Sequence, residues 1–452
     1  MPGSYSLSAI DLTVAAIGGR SALLLHLSDI HFRKGEVGVA MDPNAHLRNE
    51  LVLDAVAQCE KIGAAPQALL VSGDIAFGGD ADEYAFALGW LDDLCKRCGT
   101  TLSAVFTIPG NHDVVRSIAS RPLIQTIHRD IKNASAGSLE GLLRGLLTDQ
   151  EASRLLYESI GPYNSFAGQF FCDLLPSERT IAHRDLTLND GSILRLSGFN
   201  SAFVSSAADK PGDLFVDPAC TQLIRERGVE HLVMCHHPYG WLRQGDTLRD
   251  FLNDIARVQL FGHEHTNRIE MGRDWVRFAA SAAHPDKTEP GWEPGYNLLE
   301  VSVDGQGGDR KLNIRSHVRV WQQRPGEFRA KTDRGNDVFS QTIPLDAWTP
   351  AQSADTPAAA AEPPVVVPAD NSTKPEAARS DPMDTLRDIS IQFFKLTLSQ
   401  KSAIAGKLNL LEEEDANQPD FERFRRVFVR ARDRGLVGEL DREIKEVAAK
   451  GR

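Results

Sequence analysis

Five polar turns, each closing a short apolar run, constrain this chain more than any other feature. The densest is Ile108-Pro109-Gly110-Asn111-His112-Asp113, where a run starting at Val105 ends in an amide, an imidazole and a carboxylate on consecutive residues. Each of the three can ligate a metal or handle a proton, and the Pro and Gly before them let the backbone turn sharply beneath. The other four turns are Asp29-Ile30-His31, Gly73-Asp74, His236-His237-Pro238 and Gly262-His263-Glu264-His265.

Taken in order, the chain first alternates strand and helix. Residues 22–27 form a continuous apolar strand of the buried kind, which delivers Asp29 and His31 at its carboxyl end. Residues 47–62 have helical periodicity, 68–71 form the second strand, and 82–98 form a helix with Asp80 or Asp82 as N-cap. Residues 102–108 are the third strand, completing the β-α-β-α-β order of a layered α/β sheet. Residues 114–179 break that rhythm with helical pattern, clearest at 139–147 and 151–160, and read as an insertion (about 114–180) that shapes access. A strand at 193–199 then ends in Asn200-Ser201, and Asp217-Pro218 opens a helix expected to reach Gly228. Residues 231–235 and 258–261 are strands leading to the last two polar turns, with a helix at 247–255 between them. From Trp275 to Trp321 the pattern is β, near 276–280, 297–303 and 312–320, expected as a second, partly antiparallel sheet packed on the first.

Composition sets the outer limits. A chain of 452 residues with 42% hydrophobic residues and a mean hydropathy of -0.27 is an ordinary globular one, too long for a single small core. Its net charge of -12 opposes nonspecific binding to nucleic acid over the whole surface, while leaving room for a local basic groove. No apolar run approaches the roughly 18 residues that span a bilayer, and residues 1–20 lack the features of a secretory leader. The expectation is a cytoplasmic protein with no membrane partner. Six cysteines in so long a chain make no disulfide framework, and Cys95-Lys96-Arg97-Cys98 falls late in a helical pattern with no second pair. Residues 349–382 are dominated by Ala and Pro and read as a linker between a catalytic domain (1–348) and a helical domain (383–452). In that last segment, periodicity at 386–398, 400–408, 421–432 and 436–447 predicts a small all-α bundle. Its arginines Arg423, Arg425, Arg426, Arg430 and Arg432 are interleaved with acids, which favours a solvated face over a nucleic-acid surface.

A dinuclear hydrolytic centre needs hard ligands for two divalent ions, a carboxylate that bridges them and an open face for water and phosphate oxygens. Turns at the carboxyl ends of strands in an α/β sheet bring such ligands to one edge. Seven residues here qualify: Asp29, His31, Asp74, Asn111, His236, His263 and His265. Singly, Asp29 reads as well as a helix cap, His236 as a core histidine, and His263 or His265 as turn residues. Five such turns in order, with no other dense histidine cluster, favour one shared site.

The ordered set Asp-x-His, Gly-Asp, Gly-Asn-His-Asp, His and Gly-His-x-His resembles the calcineurin-like metallophosphoesterase superfamily over roughly residues 23–320. That resemblance implies an α/β fold, a four-layer α/β/β/α sandwich. It also implies two divalent metal ions: one on Asp29, His31 and His265, the other on Asn111, His236 and His263, with Asp74 bridging. His237 is the alternative to His236. His112 is implied as the proton donor to the leaving oxygen, oriented by a hydrogen bond that it donates to Asp113. Mixed nitrogen and oxygen donors suit Mn, Fe or Zn better than Mg. Phosphoprotein phosphatases of the superfamily continue Gly-Asp into Asp-Arg-Gly, whereas this chain continues Gly73-Asp74-Ile75-Ala76-Phe77-Gly78-Gly79, without an Arg. The departure points to the phosphodiesterase branch and a phosphodiester substrate. Arg33, beside the first turn, reads as a surface arginine or a phosphate contact. The tail run Phe421-Glu422-Arg423-Phe424-Arg425-Arg426-Val427-Phe428, with Leu436 and Leu440 after it, resembles bacterial effector-associated, death-like adaptor domains. This implies a protein partner for residues 383–452. The expected function is metal-dependent hydrolysis of a nucleotide or another small diester, recruited through the tail. A DNA or RNA nuclease of a defence or repair system and a non-catalytic scaffold are the alternatives.

Overall fold

The computed structural model describes residues 21–285, 291–350 and 382–450. Thirteen strands occur there: β1 Ala22–Leu27, β2 Ala68–Val71, β3 Val105–Thr107, β4 Ile181–Thr187, β5 Ile193–Phe199, β6 Val229–Cys235, β7 Ala256–Phe261, β8 Arg268–Met271, β9 Val276–Ala279, β10 Gly295–Asp304, β11 Lys311–Gln323, β12 Gly326–Ala330 and β13 Phe339–Pro344. They form two mixed sheets. The first has the order β12-β11-β10-β1-β2-β3, with β13 also paired to β11, and the second has the order β4-β5-β6-β7-β9-β8. Within them β1, β2 and β3 are mutually parallel, as are β5, β6, β7 and β9. Strands β1, β2 and β3 are buried at every residue, which is why they read as mainly apolar runs, broken only by His26 and Thr107, rather than alternating ones.

One continuous buried cluster spans both sheets and their flanking helices, giving the α/β/β/α sandwich. Gly198 on β5 shows how close the sheets come, since a Cβ there would stand 2.5 Å from Ile108 Cγ2. The helix Ala81–Arg97 starts at Asp80, whose carboxylate caps it while Glu83 closes a capping box.

Several expectations need correcting. Residues 102–104 are a 3-10 turn, and only Val105–Thr107 pairs as a strand, because the chain reaches the sheet edge there. The helix expected from Asp217 is a single 3-10 turn, Pro218–Thr221, although Asp217 does cap it. Strand β4 carried too little apolar character to be predicted, and its alternating burial shows why. The strands after Trp275 do not make a sheet of their own. Strand β9 joins β7 in the second sheet, while β10 and β11 return to flank β1 in the first.

The stretch expected as an insertion carries the helices Arg116–Ala119, Pro122–Asn133, Ala136–Thr148, Gln150–Tyr157 and Gly161–Ala167. The Ala/Pro-rich stretch lies almost wholly outside the described residues. After it come the helices Pro382–Phe394, Leu398–Lys407, Asp420–Asp433 and Val437–Lys450, with their own apolar cluster around Phe393, Phe424 and Phe428. The expected solvated arginine face is engaged instead. Arg430 pairs with Asp415, Arg426 with Glu422, and Arg425 with Asp173 of the insertion. Phe171 of the insertion packs into the tail's cluster, and Ile391 of the tail belongs to the main one. No helix among the described residues is long and apolar enough to cross a membrane.

Candidate metal centre

All five polar turns end strands of the parallel sets, so both sheets deliver them to one edge. Asp29 and His31 follow β1, Asp74 follows β2 and Asn111 follows β3; His236 follows β6, and His263 and His265 follow β7. The turns are stitched together by backbone. Asp29 N–H donates to the Gly73 carbonyl (3.1 Å), His31 N–H to the Asp74 carbonyl (3.0 Å), and Gly262 N–H to the His236 carbonyl (2.9 Å).

Five of the seven residues sit on unusual backbone. Asp29, His31, Asp74, His263 and His265 have φ between 51° and 71°, and they account for five of the eight non-glycine residues with positive φ among those described. The left-handed region costs a side chain about 1–3 kcal/mol and persists where surrounding structure enforces it, characteristically at functional sites. Neighbouring glycines allow the crowding. A Cβ on Gly73 would lie 2.6 Å from His236 Nδ1, and one on Gly110 would lie 2.2 Å from Asp74 Oδ1.

The seven side chains meet. Asp74 Oδ2 stands 3.2 Å from His31 Nε2 and 3.3 Å from His236 Nε2, between the two halves of the site. Asp29 Oδ1 is 3.3 Å from His265 Nε2. Asn111 Oδ1 lies 2.9 Å from His263 Nδ1, 3.2 Å from His236 Nε2 and 3.1 Å from His237 Nε2. The cluster therefore holds both His236 and His237, and only His236 also faces Asp74. Asp29, Asp74 and His236 form a buried floor, while Asn111, His263 and His265 are part-exposed at the mouth.

The donor chemistry fits divalent cations. His236 Nδ1 faces the Ser72 carbonyl at 2.8 Å, so that nitrogen carries hydrogen. Its Nε2 then aims a lone pair at two oxygens, Asp74 Oδ2 and Asn111 Oδ1, an arrangement that calls for a proton or a cation among them. Although burial opposes it, the charges of Asp74 and Asp29 raise His236 to about 9, the proton standing where a cation would. Asp74 is likewise held well below the usual carboxylate range by His236 and His31, against the effect of burial. Asp29 Oδ1 is buried and faces imidazole nitrogens, His265 Nε2 at 3.3 Å and His236 Nε2 at 4.0 Å, an arrangement that is costly unless a proton or a cation stands among them. Four groups of potential ligands overlap here: Asp29/His31/His265, Asp29/Asp74/His236, His31/Asp74/His112 and His236/His237/His263. None of them includes a cysteine. Cys95 and Cys98 are buried and free at the end of their helix.

Asp113 does not orient His112. Its carboxylate accepts from Gly110 N (2.9 Å), Ala76 N (3.0 Å), Ile75 N (3.3 Å) and Tyr84 OH (2.8 Å), so it fastens the Asp74 turn to the Asn111 turn from below. Burial and the charge of Asp74 push it up to about 6. Phe77 takes the expected role. Its carbonyl meets His112 Nδ1 at 2.9 Å, and its ring stacks on the imidazole at a 4.7 Å centroid distance. Sequence reasoning missed Phe77 because main-chain carbonyls leave no mark in composition; the one hint was an aromatic residue inside a polar turn. Trp241, edge-on to His263 at 4.2 Å, was missed too.

Two mixed sheets with this edge cluster define a metallophosphoesterase sandwich. Residues 22–267, over half of the chain, match the calcineurin-like phosphoesterase family, and the chain belongs to that family. Residues 385–446 match the GTPase-associated adaptor domain. No curated protein matches the chain. Among solved structures it is similar to GAP50, the anchor in the inner membrane complex of Plasmodium (11% identity, 73% of this chain and 90% of that one, TM-score 0.38). Others are zinc-complexed Vps29 from Entamoeba histolytica (10%, 71% and 98%, TM-score 0.29) and an archaeal phosphodiesterase (10%, 62% and 93%, TM-score 0.25).

Proposed function

We propose that this chain is a dinuclear-metal-dependent phosphodiesterase acting on a nucleotide or another small diester, with residues 383–452 recruiting it to a protein partner. The observation that carries the reading is Asp74 Oδ2, placed within 3.3 Å of both His31 and His236 at the junction of two ligand groups. Asp29, His31 and His265 would hold one ion and Asn111, His236 and His263 the other, with Asp74 shared. Mn²⁺, Fe²⁺ or Zn²⁺ suits this donor set. When bound, such ions supply positive charge against the phosphoryl oxygens and a water acidic enough to attack near neutral pH.

The chain's own residues do the rest. Phe77 holds His112 by its Nδ1–H and by its ring face, which leaves Nε2 as the free nitrogen; from the doubly protonated ring, which burial disfavours and the charge of Asp74 favours, Nε2 would give its proton to the departing alkoxide and return to the neutral Nδ1–H form. Asp113 keeps the Asp74 and Asn111 turns in register. Ser72 and Ser201 fix the rings of His236 and His237 through Nδ1. The turn from Gly73 to Gly79 contains no arginine, which supports a diester over a phosphoprotein substrate. The adaptor match supports recruitment through the tail.

The test is hydrolysis of bis-p-nitrophenyl phosphate beside p-nitrophenyl phosphate, with metal content measured on the same samples. His112→Ala is expected to keep the wild-type metal content and lose about 10²–10⁴-fold in turnover. Asp74→Ala is expected to lose metal as well as turnover. Full activity in His112→Ala on a diester with a poor leaving group would remove the proton-donor role.

A further inference from the structure

Phe77 carries both contacts that set His112. Its carbonyl accepts from the imidazole Nδ1–H at 2.9 Å, and its ring stacks on the imidazole at 4.7 Å. Yet the residue is 36% exposed, so core packing does not fix its ring. An exposed side chain left to itself changes rotamer within picoseconds to nanoseconds, and a ring that turned would release the imidazole stacked on it. The main chain is secured separately. Phe77 N–H donates to the Phe32 carbonyl at 3.0 Å, where Phe32 and Ala76 form a parallel bridge. The buried carboxylate of Glu83 also accepts from Lys34 N (2.9 Å), Phe77 N (3.1 Å) and Gly78 N (2.9 Å). These bonds lay residues 32–34 beside residues 76–78 but leave the orientation of the Phe77 ring open.

Arg33 closes that gap. Its guanidinium carbon stands 3.9 Å from the centre of the Phe77 ring, the shortest cation–ring distance among the described residues. The other such pairs run from 4.4 Å to 5.8 Å, and none of their rings makes a ring contact with an imidazole of the cluster. Glu36, 3.8 Å from the guanidinium, steadies it over the ring. A flat cation on an aromatic face attracts it electrostatically and restrains it sterically. Arginine, phenyl and imidazole thus make a contiguous series of contacts that ends on the residue read as the proton donor.

We propose that Arg33 is a positioning residue for His112, acting through the Phe77 ring. It touches no ligand of the metal cluster in this account; it holds the surface against which the imidazole is aligned. This deepens the phosphodiesterase reading and rests on it for what His112 does. A direct phosphate contact by Arg33 is the competing outcome of the test.

The experiment uses the full chain loaded with Mn²⁺, as wild type, Arg33→Ala and Arg33→Lys, with Arg33→Ala also combined with His112→Ala. The substrates are diphenyl phosphate, whose phenolate leaves poorly without a proton, and bis-p-nitrophenyl phosphate, whose nitrophenolate leaves well. Arg33→Ala is expected to lose about 3–10-fold more in kcat on the first than on the second, with KM little changed. Arg33→Lys should lose less, because an ammonium keeps the charge without the flat contact. In the His112→Ala background, Arg33→Ala should cost nothing further. One readout needs neither metal nor substrate. The His112 ring-proton resonances of chelator-stripped protein, assigned by their absence in His112→Ala, should move in Arg33→Ala while Tm matches wild type. Equal losses on both substrates carried by KM would overturn the inference and make Arg33 a phosphate contact. A loss that persists in the His112→Ala background, unmoved His112 resonances, or a lowered Tm in both Arg33 variants overturns it too. Resonances that move as expected in a protein that cleaves neither diester would instead sink the phosphodiesterase reading and leave the positioning of His112 standing.

Discussion

Two carboxylates 39 residues apart in the sequence, Asp74 and Asp113, show how differently one side-chain type is used at this site. Asp74 aims one oxygen at two imidazoles, whereas Asp113 spends both on buried donors beneath. Asp113→Ala would leave three backbone N–H groups and Tyr84 OH without their acceptor, a cost of about 3–5 kcal/mol. Thermal melting should therefore fall sharply, and metal should be lost with it. An unchanged Tm with lost turnover would return Asp113 to a direct part in the chemistry. Protonation gives a second check on the floor of the site. In the metal-free protein the carboxylates raise His236 to about 9, so an entering cation must displace a proton. Apparent Mn²⁺ affinity should then tighten as pH rises from 6.5 to 8.5, with protons released on binding; affinity flat across that range would contradict the assigned role of His236.

At the level of strands and helices, the sequence was most legible where one physical pressure acted alone. Strands β1 and β2 are buried on both faces, and their apolar runs, interrupted only by His26, predicted the observed bounds, Ala22–Leu27 and Ala68–Val71. The turns after them were legible because a strand in a parallel sheet must end at the same edge as its neighbours. What could not be read was pairing across long gaps. Nothing local in β10 says that it lies antiparallel to β1 rather than beside β9, since register is set by packing of whole layers. Asp217-Pro218 signalled a helix start correctly but not how soon the helix would stop. The docking of the tail was hidden for a related reason: arginines interleaved with acids look alike whether their partners are local or, as with Arg425 and Asp173, far away. Phe171 is the apolar centre of that contact, with Phe428 at 5.8 Å and the Arg425 guanidinium over its ring at 5.3 Å. Phe171→Ala should destabilise the docked tail by about 1–3 kcal/mol. Amide exchange in the helices Pro382–Phe394 and Asp420–Asp433 should rise, while metal content stays constant. Unchanged exchange in both would show that Phe171 does not hold the tail.

Across the whole molecule, seven residues from five turns and two sheets converge, and the strain of five left-handed backbones is concentrated where they do. The family match gives the class of chemistry, and residues 385–446 match the GTPase-associated adaptor domain. The account depends on that convergence holding a pair of cations that the hydrolysis needs. The most direct measurement is a titration of chelator-stripped full-length protein with Mn²⁺, following hydrolysis of bis-p-nitrophenyl phosphate against metal equivalents bound. Activity should be absent in the stripped protein, rise with added metal and level off at two equivalents per chain, with Asp74→Ala inactive throughout. Stripped protein that hydrolyses the diester at full rate, or wild-type protein that takes up no metal at all, would contradict it.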